Sequence, residues 1–276
     1  MGLALVLQGC SVVKLAYNQA PELLYWRFDS YIDFTEAQAP RAREELARFA
    51  QWHRNTQLPE YITLLQKVQQ TVANPAEAPQ VCALFDQARG KVAAMTQQIE
   101  PAVVWLASNV STEQLQHLER KYTKTNTEWR QEWLDVSPQA AQKKRYEFFV
   151  KRAELVYENL QDTQKAALQA RLAQTSFDAQ MIYAERLRNQ QDQLQTLRRI
   201  AQEKLAPPQA QEVLRDYLAR SLSSPNAQYR RYQEQAIAQG CAVFSAIHNA
   251  ASPAHRQQAV TRLKGYEDDL RALLAP

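Results

Sequence analysis

Apolar residues recur along the chain at intervals of three and four with polar residues between them, the period of an α-helix with one face on a core. Pro21-Glu22 suits a helix start, and Leu24, Phe28, Tyr31 and Ile32 follow at helical spacing with Trp26 beside them. Thr35-Glu36-Ala37-Gln38 predicts a second helix reaching Asn55. Leu58-Pro59 breaks it and starts a third, carrying Tyr61, Leu64, Leu65 and Val68. After the turn signal Asn74-Pro75 a helix is predicted over 77–108, with Gly90 as a candidate kink. Ser111 opens the next, with Leu115, Leu118, Tyr122, Trp129 and Trp133. Ser137-Pro138 then caps a helix whose stripe runs through Tyr146, Phe149, Val150, Ala153, Val156, Tyr157 and Leu160. Leu187, Leu194 and Ala201, with Leu197 between, give a helix over 177–205 a coiled-coil-like seam, and Pro207-Pro208 ends it. Three more helices are predicted over 209–222, 225–249 and 253–274. No alternating strand and no Asn-Gly or Asp-Gly hairpin interrupts this text. The expected fold is all-α, an elongated multi-helix array with long antiparallel helices and no sheet.

Composition agrees. Of 276 residues only 5 are Gly while 35 are Gln, a balance that favours helix over sheet and turn. The net charge of +4 is mild, and nucleic-acid binding is not expected. The runs Lys143-Lys144-Arg145, Arg198-Arg199 and Arg230-Arg231 read as solvated helix faces.

The first ten residues, MGLALVLQGC, carry a short apolar block with no basic residue before it. Leu7-Gln8-Gly9-Cys10 resembles the lipobox of bacterial lipoproteins, in which the cysteine receives lipid; Gln8 departs from the preferred residue there. The alternative is a buried helix start with an incidental cysteine. On the lipoprotein reading, residues 1–9 are the remnant of a truncated signal peptide and residues 10–20 a lipidated tether. Residues 21–276 then form a single helical domain, with two subdomains meeting near 109–136. Ser11 after the cysteine fits, by analogy, the periplasmic face of the outer membrane, with the membrane as a partner through acyl groups such as palmitate.

One pattern recurs at helix starts: Phe34-Thr35-Glu36-Ala37-Gln38, Val110-Ser111-Thr112-Glu113-Gln114, Leu160-Gln161-Asp162-Thr163-Gln164 and Ala251-Ser252-Pro253-Ala254-His255. The first two fit a capping box; the third lacks the capping hydroxyl and the fourth replaces Gln with His. The pattern resembles the L-T-x-x-Q motif of the Spy and CpxP class of helical periplasmic chaperones and stress-signalling adaptors. Longer strings resemble an uncharacterised proteobacterial lipoprotein family: Lys14-Leu15-Ala16-Tyr17-Asn18, Trp26-Arg27-Phe28-Asp29-Ser30-Tyr31-Ile32-Asp33, Trp52-His53-Arg54-Asn55-Thr56-Gln57-Leu58-Pro59-Glu60-Tyr61, Ile247-His248-Asn249 and Gly265-Tyr266-Glu267-Asp268-Asp269-Leu270. That resemblance strengthens the lipoprotein reading and implies no activity or cofactor.

Candidate chemistry is sparse. His53, His117, His248 and His255 have no metal-ligand spacing, and no nucleophile elbow, phosphate loop or dinucleotide fingerprint occurs. No catalytic residue, metal or cofactor is expected. Asp29 and Asp33 lie one turn apart and suit salt bridges or capping better than acid–base work. Trp52, His53, Arg54, Gln57 and Tyr61 suit either a packed helix corner or, with Asp29 and Asp33, a recognition surface. Cys82 and Cys241 are a candidate disulfide in an oxidising compartment, with two buried thiols as the alternative. These features point to a non-enzymatic envelope lipoprotein that binds a protein partner or client as a chaperone-like or adaptor module. The rival is a helical scaffold or carrier for an apolar ligand or lipid.

Overall fold

The computed structural model describes residues 12–274. The expected signal remnant, Cys10 and its lipidation lie outside the described residues. Twelve α-helices follow one another, and no strand occurs among the described residues: the protein is all-α. They are α1 (Val12–Asn18), α2 (Ala20–Ile32), α3 (Ala39–Trp52), α4 (Leu58–Val72), α5 (Ala78–Asn109) and α6 (Thr112–Trp133). Then come α7 (Pro138–Tyr157), α8 (Asp162–Leu172), α9 (Ala179–Gln202), α10 (Pro207–Leu222), α11 (Ala227–Asn249) and α12 (Pro253–Leu274).

One expected interruption is absent. The chain does not break at Leu58-Pro59; His53–Gln57 form a π-helical turn that joins α3 to α4. Pro59 has no N–H to offer the preceding turn, and widening that turn keeps the helix going, with Leu58 N–H donating to the His53 carbonyl. Helix α5 matches the helix expected over 77–108 and continues through Gly90 and Pro101. The heptad seam in α9 is also shorter than expected: Leu194 and Leu197 are buried, but Leu187 is exposed. At the other end of the chain, the expected tether is helical from Val12 onward. Its Tyr17 and Asn18 side chains bond to the π-turn.

The four recurring helix starts come together in two pairs. Gln38 and Gln114 are buried and exchange amide hydrogen bonds of 3.3 and 2.6 Å. Each also crosses to the carbonyl two residues before the other's cap: Gln38 to Asn109 at 2.8 Å and Gln114 to Asp33 at 2.9 Å. In the second pair His255 Nε2 donates to the Asn159 carbonyl, two residues before Gln161, at 3.0 Å. Gln161 supplies through its amide oxygen what a hydroxyl supplies elsewhere. It caps α8 and also accepts from the Ser252 N–H at 3.2 Å. Helix-start N–H groups that would otherwise be orphaned inside the protein are thereby satisfied.

Two hydrophobic clusters grow from these pairs. One joins Ala107, Leu115, Leu118, Leu194, Ile200, Ala210 and Leu214; the other joins Ala153, Tyr157, Leu168, Leu172, Val243, Ile247 and Ala259. They interleave along the chain, and α5 spans them: its C-terminal end lies in the first and its N-terminal end is bonded to α11 through Cys82–Cys241. Beside that bond, α11 clamps the turn before α5. Asn249 pairs with both backbone groups of Ala76, at 2.9 and 3.0 Å, and Ser245 Oγ donates to the same carbonyl. His248 Nε2 lies 2.6 Å from the Asn74 carbonyl, so it carries the proton, and Nδ1 accepts from the Tyr157 hydroxyl at 2.5 Å. Burial pushes the pKa of His248 down, consistent with a neutral ring.

Helix α12 is fixed to α4 by a buried carboxylate. Glu267, 2% exposed, accepts from Gln69 at 2.9 Å, Gln66 at 3.0 Å and Arg271 at 2.9 Å, with Lys264 Nζ at 3.1 Å. These donors, Gln69 foremost, hold its pKa at about 2 against an ordinary 4.5.

Three outcomes are expected. Because the folded pKa of Glu267 is depressed, its contribution is complete above the unfolded value of 4.5 and fades as pH falls toward 2. Glu267→Gln should therefore cost about 1–3 kcal/mol at pH 7 and progressively less in denaturant titrations at lower pH. A Cβ at Gly90 would meet nothing within 4 Å, so Gly90→Ala should raise stability by about 0.5–1 kcal/mol in the same titration. The disulfide spans 159 residues, and Cys82→Ala together with Cys241→Ala should lower stability by about 2–5 kcal/mol, read as a lower thermal midpoint.

Candidate functional site

The antiparallel packing of α6 on α9 forms a ladder whose character changes along its length. Tyr122 bonds to Gln193, and Asn126 Nδ2 donates to Gln190 Oε1 at 2.7 Å. Further along α6, polar pairs give way to aromatic ones. Trp129 stacks on Tyr183 with ring centroids 5.4 Å apart, and Trp133 meets Phe177 at 5.3 Å. Helices α7 and α11 flank this aromatic end and leave an open groove of about 470 Å³. Trp129 and Trp133 form one wall, Phe148 and Phe149 of α7 another, and Tyr229 and Tyr232 of α11 a third. Phe177 lies in the α8–α9 connection, where Asp178 caps α9 and its N–H donates to the Tyr232 hydroxyl at 3.1 Å.

Arg145 enters this groove from α7. It was expected on a solvated face with Lys143 and Lys144; instead it is half-buried, its Nη2 donating to Thr175 Oγ1 at 2.6 Å and its Cζ 4.9 Å from the Phe177 ring centroid. The reason is helical phase: Arg145 stands one turn before Phe149 and shares its face, whereas Lys143 is exposed and reaches Glu147. No carboxylate lies within 4.0 Å of Arg145 among the described residues. Burial lowers its pKa, an effect that Tyr232 only partly offsets.

The residues singled out as a recognition surface fall into two places. Trp52, His53, Arg54, Gln57 and Tyr61 gather at and beside the π-turn. There the Tyr17 hydroxyl lies 2.8 Å from His53 Nδ1, Tyr61 Oη lies 3.4 Å from His53 Nε2, and Tyr61 donates to Met95 Sδ at 3.7 Å. A single proton order satisfies this chain: Tyr17 to His53, His53 to Tyr61, Tyr61 to Met95. Burial lowers the His53 pKa, which favours its neutral ring, and raises those of Tyr17 and Tyr61. Arg54 donates to Asn18 Oδ1 at 2.7 Å, so His53 and Arg54 together hold α1. Gln57 is buried, its Oε1 without a partner, beside a cleft of about 520 Å³ between α4 and α5. The cations of that cleft are engaged, Lys91 with Glu60 at 2.6 Å and Lys67 with Gln87 at 2.8 Å.

Asp29 and Asp33 stand apart from that cluster and end α2. Asp29 Oδ1 accepts from the Phe34 N–H at 2.9 Å, and Asp33 takes the left-handed conformation, φ 58°, that terminates the helix. His117 Nδ1 is 3.9 Å from Asp33 Oδ2, while its Nε2 faces the Ser30 carbonyl at 3.3 Å. Cys82 and Cys241 are bonded, with Cα atoms 5.3 Å apart. No group of three His, Cys, Asp or Glu residues placed to hold a metal occurs among the described residues. No described helix is long and apolar enough to cross a membrane.

The sequence reading missed the groove as a site. Its signals were present: aromatic residues at 129 and 133, again at 148 and 149, again at 229 and 232, with an arginine in phase with Phe149. Nothing in their linear order says that these three pairs converge.

No curated protein and no solved structure matches the chain. One family does: its sequence profile matches residues 30–230, a span that takes in α6, α7, α9 and most of the groove. The chain therefore belongs to DUF6279, a family of unknown function.

Proposed function

We propose that the protein is a lipid-anchored lipoprotein of the bacterial envelope that binds other proteins, as a chaperone-like or adaptor module, and catalyses no reaction. The observation that carries the binding function is the open aromatic groove between α6, α7, α9 and α11. Trp, Tyr and Arg dominate binding hot spots because they bury large rigid surfaces and still offer polar contacts. An open groove also suits an extended polypeptide better than the enclosed cavity that a carrier of apolar ligands requires.

Three features support the envelope address. Leu7-Gln8-Gly9-Cys10 resembles a lipobox. The Cys82–Cys241 bond suits an oxidising compartment such as the periplasm. Leu15, Leu23 and Trp26 recur at helical spacing along α1 and α2, just after Cys10, and all three are exposed, Trp26 by 64%. A stripe of that kind beside a lipidated cysteine would lie at a membrane interface, where tryptophan is favoured. The face of the outer membrane that the periplasm bathes is the proposed location.

Aggregation of a reduced, unfolded client protein tests the binding function. A Cβ at Gly240, in the groove wall, meets nothing within 4 Å, so Gly240→Leu is the variant chosen to narrow the groove. The native protein should suppress aggregation near equimolar ratio, and Gly240→Leu should need at least a several-fold excess while its thermal midpoint does not fall. No suppression by the native protein counts against the chaperone form. A stoichiometric partner recovered with the membrane-bound protein and lost in Gly240→Leu would identify an adaptor. Intact mass of the membrane-bound form checks the anchor: an unmodified Cys10 overturns it.

A further inference from the structure

The groove holds a charge without a counterpart. Lys91 and Lys67 in the α4–α5 cleft have polar partners, and the half-buried Asp192 of α9 is matched by Arg188 and Arg220 at 3.3 and 2.8 Å. Arg145 has only the Thr175 hydroxyl and the face of Phe177. A guanidinium presents five N–H donors in a planar fork that matches a carboxylate through two parallel bonds. One nitrogen of Arg145 is occupied; the other two make no hydrogen bond to the described residues, and Arg145 lines the groove together with the aromatic walls.

We propose that the groove binds the C-terminal residue of an extended polypeptide, its free carboxylate on Arg145 and its apolar side chain between the aromatic walls. This inference rests on the protein-binding reading above and names what that site recognises. A C-terminal residue carries its carboxylate and side chain on the same Cα, so one residue meets the guanidinium and the rings together. A single arginine matches a single carboxylate, whereas a strongly acidic segment would need several cations. The groove also contains Gln233 and Gln239. The Gln239 Oε1 accepts from Ser176 N–H at 3.1 Å, which leaves its NH₂ group to donate to a ligand carbonyl. Amides of this kind serve a peptide backbone and have no role with the alkyl chain of a fatty acid.

Partial desolvation favours such a ligand. The cost of removing Arg145 from water, seen in its lowered pKa, is offset by an anion brought into the same low-dielectric site. The aromatic walls then supply apolar area that a free inorganic anion could not use.

Fluorescence anisotropy with a labelled hexapeptide ending in Leu-Phe tests this on the full chain with its disulfide formed. The peptide is used as the free acid and as the C-terminal amide. The native protein should bind the acid at least tenfold more tightly than the amide. Arg145→Gln should bring the acid to the level of the amide, and Arg145→Lys should keep part of the difference. Equal binding of acid and amide by the native protein overturns the proposal, and so does full discrimination retained in Arg145→Gln. The acid–amide comparison needs no variant, so it holds even if Arg145→Gln folds poorly. Dodecanoate is the competing probe: if it binds in the groove while the free-acid peptide does not, the site takes a free acid and the proposal fails. Suppression of client aggregation without acid–amide discrimination removes C-terminal recognition and leaves protein binding standing. Discrimination without suppression supports C-terminal recognition and removes only the chaperone form.

Discussion

The unsatisfied N–H groups at helix starts are the constraint around which this protein is built. Several helices of this chain begin inside the protein, where water cannot serve the first turn. Here those starts are buried face to face. Gln38 and Gln114 complete their own capping turns and each other's, and Gln161, Ser252 and His255 do the same at the second site. Each junction fixes the directions in which helices leave it, and the hydrophobic clusters fill the space between those helices. The recurring motif is therefore interior framework, and its glutamines are spent on backbone rather than offered to a partner.

Polar locks then set what the apolar clusters alone would leave free to slide. Glu267 registers α12 on α4. Glu100, also buried, bonds to Gln211 and to Arg215 at 2.9 and 3.1 Å and so registers α10 on α5. Helix α11 is held to α5 by a disulfide and to the turn before α5 by contacts of Ser245, His248 and Asn249. With α5, α11 and α12 fixed, the aromatic end of the α6–α9 ladder meets α7 and α11 at a set distance. Phe177 lies against the Arg145 guanidinium, and the groove beside them stays open. In the polar π-turn cluster, by contrast, two of the side chains are already engaged: His53 and Arg54 bond to Tyr17 and Asn18 and so hold α1 against the turn.

Much of the fold is legible in the sequence. Helix caps at Ser111, Ser137 and Ser252, the stripe from Tyr146 to Leu160 and the stop at Pro207 depend on neighbours within one or two turns, and such local signals survive into the structure. The failures have local causes of another kind. Leu58-Pro59 reads as a break because a missing N–H normally ends a helix, but a π-turn can absorb it when the flanking helices are already held. Arg145 reads as solvated because its immediate neighbours are lysines, and its true environment depends on residues 30 positions away.

The sequence by itself determined the helical content, the positions of the caps and which face of each helix seeks a core, because these follow from spacing and from side chains acting on their own turn. Only the tertiary structure decided which caps pair, which clusters form and where a site is left over. Gln38 meets Gln114 across 76 residues and Cys82 meets Cys241 across 159, and nothing in the intervening text encodes those partnerships. A groove is defined by what does not fill it, so it appears only when all its walls are in place. The unmatched guanidinium of Arg145 is visible for the same reason: its lack of a counter-charge is a property of the assembled neighbourhood and of no single helix.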